Sequence, residues 1–120
     1  MTNREKSEEF LKRLEKFADD VNVLCKKVPF NFVTKEIVDQ LSRSGSSPAA
    51  NYIEAIESLS KKDFYFRIRI CRKESREAGF WLRRLAKVCP ELAKDCVILE
   101  DEARQFLLIF SKILTKYSND

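Results

Sequence analysis

The residues best placed to do chemistry lie in two adjacent segments. Ser44, Ser47 and Asn51 recur along one helix-forming stretch, and Glu74 and Glu77 share a face of the next. Paired carboxylates beside hydroxyl and amide groups are parts of an acid–base site. Such a site also needs a nucleophile, a tuned base or a metal. The chain has no histidine, and its 4 cysteines (Cys25, Cys71, Cys89, Cys96) form no Cys-x-x-Cys pair. Zinc-ligand spacing is therefore missing. Gly45-Ser46-Ser47 lacks the lysine and spacing of a phosphate-cradling loop. These features point away from an enzyme, a metal centre and a cofactor. The five polar residues then read as a network that fixes helix register, with Arg43 or Arg76 neutralising the carboxylates. Burying such groups unpaired costs about 1–3 kcal/mol each. A ligand site is the other reading.

The second constellation is basic. From Lys61 to Lys87 there are 10 basic and 3 acidic residues, a net of +7 in a chain that nets +4. Lys62, Arg69, Lys73, Arg76, Arg83, Arg84 and Lys87 fall within about 120° of one another around a helix. Arg67 and Arg72 lie farther round. Tyr65, Phe66 and Phe80 sit among the cations. Cations interleaved with aromatic side chains suit phosphate contacts plus base stacking. The candidate nucleic-acid residues are Lys62, Arg69, Arg72, Lys73, Arg76, Arg83, Arg84 and Lys87. The plainer alternative is a solvated face with salt bridges to Glu8, Glu9, Glu15 and Asp19, or to Glu91 and Asp95.

Four helices must position these residues. Phe10, Leu14, Phe17, Val21, Leu24 and Val28 recur at spacings of four and three, which predicts a helix over about 5–27. Pro29 stops it. Thr34 is the expected N-cap of a second helix over 34–58. Its core face reads Ile37, Leu41, Ser44, Pro48, Asn51, Ala55, Leu59. Gly45 and Pro48 predict a kink there, with a break into two helices as the alternative. Ser60 and Asp63 resemble a capping box for a third helix over 61–88. Pro90 to Ile98 reads as a connection. A fourth helix follows over 99–117, with Ala103, Phe106, Leu107, Phe110, Ile113, Leu114 and Tyr117 as its core stripe. Ser118-Asn119-Asp120 reads as a frayed tail. With only 2 glycines and 3 prolines, the expectation is a single all-α domain, an antiparallel up-down four-helix bundle.

The apolar arcs of helices three and four exceed what one bundle hides. Ile70, Trp81, Val88, Leu108 and Ile109 are the surplus, and such patches mark interfaces. They predict self-association into a homo-oligomer. The cysteines read as buried, reduced thiols of a cytoplasmic protein, with a disulfide from Cys89 or Cys96 as the alternative. No apolar run reaches membrane-spanning length, and the charged start Met1-Thr2-Asn3-Arg4-Glu5-Lys6 is unlike a signal peptide.

The run from Leu41 through Ser44-Gly45-Ser46-Ser47-Pro48-Ala49-Ala50-Asn51 to Ala55 resembles the signature of the bacterial four helix bundle protein family. Founding members of that family are encoded in intervening sequences of 23S rRNA genes. Lys62-Asp63-Phe64, Lys73-Glu74-Ser75-Arg76-Glu77 and Phe80-Trp81-Leu82 resemble its second half. The likeness extends over nearly the whole chain. Pro48 departs from it, since the pattern has an aliphatic residue there. The resemblance implies an up-down bundle assembled into a homopentameric ring. It also implies kinship with accessory variability proteins of diversity-generating retroelements, which resemble basic pentamers that bind nucleic acid and a reverse transcriptase. The leading expectation is therefore a non-enzymatic oligomer that binds RNA, or else DNA, through helix three. The alternative is an adaptor docking an acidic protein such as a polymerase or reverse transcriptase.

Overall fold

A helix start leaves backbone N–H groups unpaired, and this chain places an acceptor side chain at three of its starts. In the computed structural model, which describes residues 1–118 with side chains through Lys116, α1 spans Asn3–Lys26. Thr2 Oγ1 accepts the Glu5 N–H at 3.0 Å, and Glu5 Oε1 accepts the Thr2 N–H at 3.3 Å. The helix thus begins two residues before the expected residue 5. Ser118, expected in the tail, is the last residue of the fourth helix; the expectations for the Tyr117 side chain and for Asn119-Asp120 lie outside the described residues.

Helix α2 spans Phe32–Ile56. Its cap is Asn31, not Thr34. Asn31 Oδ1 accepts from the N–H groups of Val33 and Thr34, both at 2.9 Å. Thr34 completes the box by accepting the Asn31 N–H at 3.0 Å, and its hydroxyl donates to the Pro29 carbonyl at 2.6 Å. Gly45 and Pro48 do not break this helix. Proline has no N–H for the Ser44 carbonyl, yet both residues are buried where helices meet, and packing holds the segment helical. Leu59 was expected on the core face. It lies beyond the end of α2 and is fully exposed.

Helix α3 spans Lys61–Val88, with Ser60 Oγ accepting the Asp63 N–H at 3.1 Å. A short 3₁₀ turn, Pro90–Leu92, leads into α4, Ala93–Ser118. The fourth helix therefore starts six residues before the expected Leu99. Cys96, Leu99 and Ala103 form one buried row, so the added turns bury a thiol that a loop would have exposed.

Connections this short force consecutive helices to run antiparallel. The result is an all-α four-helix bundle 46 Å long and 26 by 20 Å across. Helix α3 packs tightly between α2 and α4, while α1 packs on α2 and lies diagonally opposite α3, with no close approach of their backbones. The α1 and α4 backbones stay farther apart, and aromatic side chains fill the gap. Phe10 meets Phe106 and Phe110 edge-on at 5.9 and 5.6 Å, and Phe17 meets Phe106 at 5.3 Å. Leu14, Val21, Leu41, Ile68, Leu82 and Leu85 complete the sealed core. Among the described residues, no buried side-chain N or O atom lacks a partner.

Candidate nucleic-acid interface

The bundle leaves the outer face of α3 in solvent. Lys62, Arg69, Lys73, Arg76, Arg83, Arg84 and Lys87 are exposed on it, and Arg72 is half-buried. Arg83 donates to Glu100 Oε2 of α4 at 2.8 Å. Lys73 lies 3.9 Å from Glu74. Lys62, Arg72, Arg76, Arg84 and Lys87 form no ion pair with any described residue.

The plainer reading of this face named other carboxylates. Glu8, Glu9, Glu15 and Asp19 lie on α1, across the diagonal, so they cannot neutralise α3. Instead Arg4 pairs with Glu8 at 3.3 Å and Lys12 with Glu9 at 3.8 Å, both within α1. Asp95 pairs with Lys27 at 3.4 Å. The intrachain partner that Arg83 finds, Glu100, comes from the early turns of α4.

Two aromatic side chains accompany the cations. Phe66 and Phe80 are 54% and 45% exposed, whereas Tyr65 is buried in the core. The Arg67 guanidinium lies 5.8 Å from the Phe66 centroid, and Phe80 packs edge-on against Trp81 at 4.8 Å. Rows of cations and rings on a solvent face provide the groups that phosphates and unstacked bases engage.

The polar residues divide into two sets rather than one. Arg43 donates through Nη1 to both Glu74 oxygens at 3.0 and 3.1 Å, and through Nη2 to Glu77 at 2.8 Å. The bond to Glu74 raises the Arg43 pKa further, so the guanidinium stays charged. Arg76, the other neutraliser considered, turns toward α4 and takes no part. Farther along, Asn51 Nδ2 donates to the Ser47 carbonyl and hydroxyl, each at 3.0 Å, and Arg67 donates to Asn51 Oδ1 at 3.2 Å. Ser44 joins neither set. Its hydroxyl donates back to the Gln40 carbonyl at 2.9 Å. Arg67 was set aside as farther round the helix. Its position seven residues before Glu74 places both on the α2 side, and that spacing was the signal.

Burial pushes the Cys25 and Cys96 thiols up to about 11 and the Cys71 thiol up to about 12. They are protonated at neutral pH and poor nucleophiles. All four cysteines are free, so the disulfide alternative fails. Among the described residues, no three His, Cys, Asp or Glu side chains are placed to hold a metal ion. No helix among them is long and apolar enough to cross a membrane.

The candidate self-association residues occupy two sides of the bundle. Ile70, Trp81 and Ile109 are half-buried, while Val88 and Leu108 are exposed. Helical spacing puts Ile70, Trp81 and Val88 on the α2 side of α3, with Glu74 and Glu77. It puts Ile109 on the α1 side of α4, near Glu102, which accepts from Arg13 at 2.6 and 2.8 Å. Leu108 points outward. The most exposed large apolar residues are elsewhere: Phe30, Phe32 and Leu59, all at helix connections or starts. Periodicity, which finds helix faces, carries no information about them.

No family model matches the sequence, and no curated protein matches it. A solved structure shares the fold: a protein of unknown function from the S23 ribosomal protein family of Bacteroides thetaiotaomicron. The TM-score is 0.77 at 23% identity, covering 92% of this chain and 98% of that one.

Proposed function

We propose that the chain is a non-enzymatic helical scaffold that self-assembles and binds nucleic acid, RNA in preference to DNA, through α3. Charge carries this reading. Helix α3 nets +7 against +4 for the chain, leaving −3 for everything else, and much of that charge is not paired off within the subunit. Release of counterions from a phosphate backbone would then dominate affinity, with weak sequence preference. Exposed Phe66 and Phe80 suit the splayed bases of RNA loops.

The signature around Leu41–Ala55 and the fold shared with the S23-family structure support membership of the 23S rRNA intervening-sequence family. With that membership come a cytoplasmic location and a homopentameric ring. Two unlike apolar patches on different sides of the bundle fit the heterologous contacts that close a ring of copies. Repeating α3 around such a ring would add the fields of its subunits.

Binding to a structured RNA, titrated against salt, tests the reading. Affinity is expected to fall steeply as salt rises. Salt-independent binding, or none at low salt, rejects it. Sedimentation as a stable monomer at micromolar concentration rejects the ring alone. A second reading, an adaptor for an acidic protein such as a polymerase or reverse transcriptase, draws on the Arg-and-aromatic make-up of the face, which is typical of binding hot spots. Copurification with and without nuclease separates the two. Under the adaptor reading, R69E/R76E/R83E abolishes protein pull-down and leaves RNA retention unchanged.

A further inference from the structure

We propose that the groove between α3 and α4 is the track on which a single nucleic-acid strand lays its phosphate backbone. Arg104 of α4 forms the bank facing Arg76 and Arg83, and Ser111 and Thr115 face Arg72. The inference rests on the reading of α3 as a nucleic-acid surface and narrows it to one place.

The groove holds two hollows. One, of about 200 Å³, has Ser75, Gly79 and Ala103 as its floor and Arg76, Arg83 and Arg104 on its rim. The other, of about 270 Å³, lies between Arg69 and Arg72 on one bank and Ser111 and Thr115 on the other. From Arg69 to Arg83 the track runs about 21 Å along the helix. Gly79 is the informative residue. A glycine inside a helix costs about 1 kcal/mol relative to alanine. Nothing in the subunit requires it, because a Cβ there would meet Arg83 Nη1 alone, at an ordinary 3.5 Å. What the glycine does is keep the floor of an arginine-rimmed hollow open to close approach.

Carboxylates compete for Arg83 and Arg104. Glu100 sits 2.8 Å from Arg83, and Asp101 sits 2.8 Å from Arg104. Both pairs are solvent-exposed, and such pairs contribute about 1 kcal/mol or less. A phosphate, with more charge and more acceptors, displaces them. Arg76 needs no such exchange. One row outward, Phe66, Lys73, Phe80 and Lys87 recur every seven residues. Bases leaving a backbone seated in the groove would reach those rings. A duplex keeps its bases stacked and cannot use them.

The test uses the full chain and fluorescence anisotropy with a labelled oligouridylate of about 15 nucleotides. Two triple variants each remove three cations: R72A/R76A/R104A from the groove and K73A/R84A/K87A from the outer face. The groove triple is expected to lower affinity about tenfold or more. It should also take about two units from the slope of log K against log salt, at about 0.7 per phosphate. The outer triple should do distinctly less. G79L fills the floor without changing charge, and it should weaken the strand about tenfold while melting remains cooperative. Equal losses from both triples, with G79L binding normally, overturn the groove and leave the α3 reading standing. Tighter binding of the matching duplex than of the strand also overturns the groove. No binding by the unaltered protein at low salt brings down both.

Discussion

Gly45 and Gly79 both lie inside long helices, yet their surroundings differ sharply. A Cβ at Gly45 would stand 2.8 Å from Val21 Cγ1 and 3.0 Å from Val21 Cβ, against a side chain that is fully buried and stiff at χ1. A Cβ at Gly79 would meet one mobile guanidinium at 3.5 Å. The first glycine lets α1 and α2 close on each other. The second, itself buried, floors a hollow of about 200 Å³ between α3 and α4. Charge follows the same division. Lys16 pairs with Asp20 at 2.7 Å within α1, and Arg13 is held bidentate by Glu102. Helix α3 keeps Lys62, Arg76, Arg84 and Lys87 outside any described ion pair. The α1/α2 contact leaves no room at its glycine, and the α3/α4 contact leaves a hollow rimmed by arginines.

Matched substitutions test that contrast most severely. Gly45→Leu drives a branched side chain into Val21 and is expected to destabilise by about 3 kcal/mol. Gly79→Leu, at the open position, should stay within about 1 kcal/mol of the parent. Urea denaturation of the pair measures both, and equal losses would break the comparison. Next in size is Arg43→Met. It strands the Glu74 carboxylate, whose side chain is 5% exposed, and should cost about 2 kcal/mol, since Glu74 keeps Lys73 at 3.9 Å. Adding Glu74→Leu should recover much of that loss, because removing both partners avoids the unpaired charge.

Gly79→Ala sharpens the contrast in the opposite direction. It should stabilise the fold by up to about 1 kcal/mol, read as a higher urea midpoint with an unchanged slope. Smallest of all is the Arg83–Glu100 pair, exposed by 55% and 32%. A double-mutant cycle with alanine should give a coupling of about 0.5 kcal/mol or less. A coupling several times larger would mean that this cation is committed to the subunit, and the open-groove comparison would weaken accordingly.

Much of the architecture was legible from apolar spacing alone. Leu14, Phe17, Val21 and Leu24 on α1, and Phe106 and Phe110 on α4, announce their buried faces through the helical period, and all are buried. Capping was less legible. Asn31 and Thr34 are both good caps by residue type, and the choice depended on which oxygen reached the first N–H groups. The start of α4 was missed because Pro90-Glu91-Leu92 reads as a stop, while the turn that restarts the chain is stabilised by burying Cys96.

What this sequence determined by itself was local and periodic. It set which stretches are helical, which stripe of each is apolar, and that α3, at +7, exceeds the chain's whole net charge of +4. Such properties depend on side chains a few residues apart, and the helix repeat places those without help from the rest of the fold. What the tertiary structure decided was adjacency. It put α1 across the diagonal from α3, so the carboxylates that looked available for its arginines are out of reach. It brought Arg67 to Asn51 and Arg43 to Glu74, and it set Val21 against Gly45 while leaving a hollow over Gly79. These pairings span 16 to 31 positions along the chain, and no periodicity reads which helix faces will meet across that distance.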